Sequence, residues 1–252
     1  MIRRALSAVR RLRKRLYRVR YGTLTSVNTD TPAVALTFDD GPHPDSTPAI
    51  LELLDRYHAK ATFFLVGRRA ERYPDLVRRI IDAGHEVANH TYDHLSLPMH
   101  TPGEAEEQLS RARDAIGSEC RWWFRPPFGH QTQATQRLAR RMGYRVVAWS
   151  VIAEDWRSDS AEMMAERVMR GIMPGAIILM HEFLYCCFQD RMLADRGASL
   201  AALEMILRAA QGYRFLTVAG LLSLGRPNYT NWLFPPNQEM YENRLIVDPS
   251  DE

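Results

Sequence analysis

Residues 34–66 read VALTFDDGPHPDSTPAILELLDRYHAKATFFLV, and this stretch holds one complete unit of the fold. Val34 to Thr37 is a short strand-like run, Thr47 to His58 places Ile50, Leu51, Leu53 and Leu54 at helical spacing, and Ala61 to Val66 is a second strand-like run. Outward from it the alternation continues. Helices are predicted over Ala70–Ala83, Pro102–Ile116, Gln133–Met142, Ala161–Met169 and Ser199–Ala210. Strands are predicted over His85–Asn89, Trp122–Phe124, Arg145–Ser150, Ala176–Met180 and Tyr213–Val218. Seven β/α units predict an α/β fold with a parallel sheet, closed into an incomplete barrel as readily as laid out as a doubly wound sheet. Either way, chemistry belongs at the C-terminal ends of the strands.

Composition narrows the class. The chain has 252 residues, of which 46% are hydrophobic and 25% charged, as in ordinary globular proteins and unlike disordered or fibrous ones. No run of 18 apolar residues occurs, and the N-terminus lacks the apolar stretch of a secretory signal. Cys120, Cys186 and Cys187 are too few for a disulfide framework or a four-cysteine zinc site.

Charge is unevenly spread. The net charge of +3 combines nine bases and no acids in residues 1–21 with an acidic remainder. Within that tail Ile2, Leu6, Val9, Leu12, Leu16 and Val19 recur at spacings of three and four, the pattern of a basic amphipathic helix. Such a helix suits an anionic membrane surface, each base contributing on the order of 1 kcal/mol. A solvated helix docked on the body and a mitochondrial presequence fit the same composition. No specific nucleic-acid partner is expected, because no binding module follows the tail and the body is acidic. These features predict a cytoplasmic protein associated peripherally with the membrane through residues 1–21. They divide the chain into a tail (1–30), a body (31–224) and an irregular, proline-containing extension (225–252) with Tyr229, Trp232 and Phe234 as anchors.

Polar residues gather where the strands end. Thr37-Phe38-Asp39-Asp40-Gly41-Pro42 sets two adjacent carboxylates after the first strand, and His90-Thr91-Tyr92-Asp93-His94 follows the third. Two imidazoles four residues apart on one helical turn, with one carboxylate, would make a metal site with a position left open for water, the arrangement of catalytic rather than structural sites. Arg125-Pro126-Pro127-Phe128-Gly129, Glu154-Asp155-Trp156 and His181 follow the next strands. A salt bridge, core packing and a buried histidine are ordinary explanations for Arg125, Trp156 and His181 singly, but not for their recurrence at one end of successive strands.

These blocks resemble the motifs of the polysaccharide deacetylases, the NodB-like carbohydrate esterases, over roughly Ala33 to Leu222. The resemblance implies a distorted (β/α)7 barrel and a metal-dependent hydrolase that removes N-acetyl groups from chitooligosaccharide-type or peptidoglycan-type sugars. It implies a divalent metal, zinc foremost with cobalt, manganese or nickel as alternatives, held by Asp40, His90 and His94. Asp39 would be the base, Arg125 its partner, His181 the acid and Asp155 the group orienting it. Phe128, Pro127, Trp156 and Leu179 would contact the N-acetylated carbohydrate, Phe128 through its backbone N–H. One departure is Ile152, where many relatives carry an aspartate; another is the long stretch from Glu182 to Gly197, which suits a cap over the site. An amidohydrolase acting on a small non-sugar amide or cyclic imide, and a silent carbohydrate-binding protein, are the alternatives.

Overall fold

The computed structural model of the protein describes residues 20–184, 186–187, 195–236 and 245–246, the two dipeptide stretches by backbone alone. The expected basic helix lies outside the described residues except for Arg20 and Tyr21, which are helical. Tyr185 and residues 188–194 of the expected cap lie outside them as well. Among the described residues no helix is long and apolar enough to cross a membrane.

The centre is β2 (Ala33–Asp39), buried along its whole length. Around it runs a parallel sheet in the order β6 (Arg145–Val146), β5 (Trp123–Phe124), β4 (Glu86–Asn89), β3 (Ala61–Leu65), β2, β8 (Ile177–His181) and β7 (Val151–Ile152). The start of β2 also pairs with β10 (Arg214–Leu216). The sheet curls so that the successive strands β6 and β7 occupy its two edges, and residues 147–150 join them: Val147 N–H donates to Phe124 O and Ser150 N–H to Ile177 O. This is the incomplete (β/α)7 barrel. The single strand expected over Arg145–Ser150 is therefore two short ones, because the segment leaves one edge to reach the other.

Strand periodicity assigns each residue of β2 to a face. Val34, Leu36 and Phe38 pack outward against Ile50 and Leu54 of α1 (Ser46–Arg56) and against Leu203 and Ile206 of α7 (Gly197–Ala209). Ala33 and Ala35 point into the barrel with Phe64, Ala88, Val147 and Ile177. The same alternation carries Thr37 and Asp39 to the interior. In β8 it sends Ile178 and Met180 outward and Ile177 inward.

The other helices are α2 (Gly67–Arg72), α3 (Pro74–Asp82), α4 (Pro102–Ile116), α5 (Gln133–Arg141), α6 (Ala161–Gly171) and α8 (Val218–Leu222). The helix expected over Ala70–Ala83 divides at Tyr73 (φ −124°, ψ 58°), since Pro74 excludes the helical conformation from the residue before it and opens α3 instead. Helix α4 begins with a capping box, Thr101 Oγ1 accepting from Glu104 N–H and Glu104 Oε2 from Thr101 N–H. Such a cap contributes about 1 kcal/mol.

Among the described residues three strands fall outside the range 31–224. β1 (Thr23–Asn28) pairs antiparallel with β11 (Arg226–Thr230), and Leu24 also bridges to Val147 in the gap between the sheet edges. Leu24 and Val27 are buried with the barrel's interior residues, so the body begins before residue 31 and its cover includes the start of the extension. β9 (Cys186–Cys187) pairs with β12 (Leu245–Ile246).

Candidate active site

The register of β2 on β8 sets Asp39 directly opposite His181, and both point into the barrel mouth. Asp39 Oδ1 accepts from Arg125 Nη1 at 2.7 Å. Arg125 has no exposed surface, and its remaining donors go to Thr37 Oγ1 (2.8 Å), Ala148 O (3.0 Å) and Val147 O (3.3 Å). Its guanidinium lies 4.1 Å from the centre of the Phe64 ring. A buried charge held by one carboxylate and three further acceptors is fixed in place, and it answers the repulsion between the adjacent carboxylates by drawing Asp39 away from Asp40.

Asp40 turns the other way. Its Oδ1 lies 3.2 Å from His90 Nε2 and 3.1 Å from His94 Nε2. Candidate ligand atoms of Asp40, His90 and His94 all lie within 4.8 Å of one another, and all three residues are buried. The histidines do not share a helical turn. Residues 90–94 form an irregular loop in which Thr91 (φ 65°) and His94 (φ 56°) are left-handed, and these two reversals bring the rings to 5.0 Å between centres. Asp40 (φ 75°), Phe128 (φ 59°) and Glu154 (φ 55°) are left-handed too. Non-glycine residues adopt this conformation at an energetic cost and do so preferentially at functional sites.

The donor set fits a divalent metal. His90 Nδ1 donates to Arg125 O at 2.7 Å, which orients the ring with Nε2 toward Asp40 and leaves that nitrogen as the one available to a metal. Burial holds the His94 imidazole below its ordinary pKa despite the opposing charge of Asp40, which favours the neutral form that can ligate a metal. Burial alone would raise the Asp40 carboxyl, but the neighbouring His94 and His90 hold it well below the usual range.

On the far side of the mouth, His181 Nδ1 donates to Asp155 Oδ1 at 2.7 Å, and His181 N–H donates to Asp155 Oδ2 at 2.8 Å. Burial would lower the His181 pKa, but Asp155, with smaller contributions from Asp40 and Asp39, raises it. Asp155 in turn stays below the usual carboxylate range: burial opposes this, and His181 and Arg196 outweigh it. Arg196 was not foreseen from the sequence. Its Nη2 donates to Asp155 Oδ2 (2.6 Å) and its Nη1 to Asp155 O (3.0 Å), from the end of the long stretch before α7. A lone arginine in a stretch without periodicity carries no signal of this.

The metal cluster, Asp39 and His181 line one cavity of about 330 Å³, with Arg125, Asp155 and Arg196 outside its lining. Asp39, Asp40, His90, His94 and His181 form its polar part, and Phe128, Trp156 and Leu179 are part of its apolar lining. Trp156 stands edge-on to His181, with ring centres 5.5 Å apart. Pro127 is not among the lining residues; the neighbouring Pro126 is. Ile152, Trp149 and Leu184 also line the wall, as does Phe234 from the C-terminal extension.

Comparison with known proteins identifies this architecture. The polysaccharide deacetylase family profile matches residues 26–147. A peptidoglycan-N-acetylglucosamine deacetylase of Bacillus cereus is 36% identical over 217 residues, covering 84% of this chain and 97% of that protein. The chain belongs to the polysaccharide deacetylase family. A chitooligosaccharide deacetylase of Azorhizobium caulinodans is 34% identical over 202 residues, covering 77% of this chain and 95% of the other. The crystal structure of the Bc1960 peptidoglycan N-acetylglucosamine deacetylase superposes with a TM-score of 0.75 at 30% identity, covering 84% of this chain and 98% of that one. Family membership and the Asp40–His90–His94 cluster together support a divalent metal at this site.

Proposed function

We propose that the protein is a metal-dependent hydrolase that removes N-acetyl groups from N-acetylglucosamine-containing oligo- or polysaccharides. The observation that carries this reading is a single cavity in which Asp40, His90 and His94 converge, with the Asp39–Arg125 pair on one side and the His181–Asp155 pair on the other. Zinc is the proposed ion, because two imidazoles and one carboxylate suit it among the available divalent metals. When bound, the ion supplies Lewis acidity at the amide carbonyl and makes water a competent nucleophile near neutral pH.

The chain's own residues do the rest. Arg125 occupies Oδ1 of Asp39, so Oδ2, which lies 3.9 Å from His90 Nε2, takes the proton from the attacking water. The Phe128 backbone N–H stabilises the negative charge that develops on the carbonyl oxygen. His181 carries its proton on Nε2, since Nδ1 is engaged by Asp155, and gives it to the departing amine. Base and acid thus face the substrate amide from two adjacent strands. Trp156 and Leu179 exclude water around the acetyl methyl.

Acetate release from N-acetylchitooligosaccharides, peptidoglycan fragments and simple acetamides tests the reading, before chelation, after chelation and after return of zinc. Release from the sugars that disappears and returns supports it; release that survives complete metal removal refutes it. Cleavage confined to small acetamides moves the assignment to a non-sugar amidohydrolase. For location, we propose a cytoplasmic protein held at an anionic membrane surface by residues 1–21, supported by their nine bases and apolar stripe.

A further inference from the structure

The C-terminal extension is built into the cavity wall. Gln131 and Phe234 exchange backbone hydrogen bonds in both directions, at 2.8 and 3.0 Å. The Gln131 side chain, itself buried, donates to Trp232 O at 2.6 Å and to Thr23 Oγ1 at 2.8 Å. Trp232 closes the attachment: its indole N–H donates to Gly129 O at 3.0 Å, and its ring meets Trp149 edge-on at 5.0 Å. Four hydrogen bonds fix residues 232–234 against Gly129 and Gln131, and the Trp149 ring adds a fifth contact from the segment between β6 and β7.

Phe234 has a different character from Trp232. It is 50% exposed, although it lines the same cavity as the metal-site residues. It is also the outer member of a row of rings that begins at the metal cluster. His94 meets Phe128 at 4.7 Å, Phe128 meets His130 at 5.3 Å, and His130 meets Phe234 at 5.5 Å between centres. His130 is anchored in turn by Ser96 Oγ at 2.9 Å from its Nδ1. A phenylalanine serving only to pin the extension would be buried, as phenylalanines usually are, and Trp232 already performs that task. What remains is a pre-positioned aromatic surface at the mouth, three ring contacts from the site where the acetamido group binds. A pyranose ring offers the matching chemistry: C–H groups on its face for the aromatic ring, and hydroxyls at its edge for water.

Resting on the proposed deacetylase reading, we propose that Phe234 is a specificity-determining residue. It is the stacking platform for the sugar ring adjacent to the one being deacetylated, so the extension selects oligosaccharides over single sugars. The backbone exchange with Gln131 holds the ring in position before substrate arrives, which spares the ordering cost on binding.

The test uses the full metal-loaded chain with Phe234→Ala and Phe234→Trp. The probes are N-acetylchitotetraose, a peptidoglycan tetrasaccharide, and 4-nitrophenyl acetate, which carries the acetyl group but no neighbouring sugar ring. Phe234→Ala should raise KM for the preferred tetrasaccharide about tenfold with kcat within about twofold, leave 4-nitrophenyl acetate hydrolysis unchanged, and be rescued by Phe234→Trp. Unchanged KM, or equal losses on tetrasaccharide and 4-nitrophenyl acetate, would overturn the proposal. Calorimetric binding of the tetrasaccharides separates the two readings. Binding weakened about tenfold by Phe234→Ala, in a chain that releases no acetate, removes the deacetylase reading and keeps the platform. Acetate release with binding indifferent to Phe234, or no tetrasaccharide binding by the unaltered chain, removes the platform.

Discussion

Asp155 is shared between His181 and Arg196, and that sharing sets how the site responds to pH. Because burial is outweighed by Asp155, which raises His181 above its ordinary value of about 6.5, the alkaline limb of the rate profile should lie above that value. Asp155→Asn removes the charge that opposes burial, so the limb should move to lower pH and kcat should fall. A profile of kcat/KM from about pH 5 to 10 on zinc-loaded protein checks this, and an unmoved limb refutes the coupling. The linkage to stability has two signs. The Asp155 contribution is present above its unfolded pKa of about 3.9 and is lost as pH falls through the depressed folded value. The His181 contribution is complete below about 6.5 and is lost as pH rises through the raised folded value. The pair therefore contributes most between those two unfolded values. At the same scale, Gly41 answers to Glu182, a buried carboxyl that burial pushes up to about 8. A Cβ at position 41 would lie 1.7 Å from Glu182 Oε1, and the Thr47 hydroxyl, which hydrogen-bonds Oε2, restrains the Glu182 side chain from yielding. Gly41→Ala should destabilise the fold by about 1–3 kcal/mol in denaturant titration, and an unchanged midpoint would show that Glu182 moves aside.

Among the elements, the strand register and the strand-end loops divide the work. β2 and β8 fix Asp39 against His181, whereas the His90–His94 loop owes its shape to two left-handed residues. His94→Ala should lower zinc affinity by more than about 100-fold in competition with a chelating dye, since even groups that merely support ligands cost 10–100-fold. An affinity within tenfold of the unaltered protein would remove His94 from the ligand set. The sequence was most readable where elements are long. Apolar runs such as Ala61–Leu65 and Ile177–His181 and the capped helix Pro102–Ile116 announce themselves by period and boundary. Trp123–Phe124 and Arg145–Val146 were legible as strands but not in their extent, and Val151–Ile152, too short for any period, became visible as a separate strand only through its pairing with Ile178 and Leu179. The metal cluster was legible in its residue types and not in its geometry, because spacing alone does not distinguish a helical turn from a loop with two reversed residues.

At the scale of the whole molecule, the readable part ended where contacts became distant in sequence. β1 meets β11 across some two hundred residues, and Phe234 reaches the cavity mouth through Gln131, relations that local pattern does not encode. The tail carries its own prediction. A chain beginning at residue 22 keeps β1, and hence the body, while losing the nine bases. It should bind phosphatidylserine vesicles at least tenfold more weakly in sedimentation at low salt, as several bases at roughly 1 kcal/mol each require. Equal binding would remove the membrane proposal. The curled sheet has a last consequence. Its two edges, β6 and β7, belong to one continuous segment, and Leu24 bridges to that segment at Val147. Little of either edge is left to template a strand from another chain, a common route to aggregation. Proteolytic nicking between residues 147 and 150 would undo that protection at a stroke, leaving two edges free to pair with other chains.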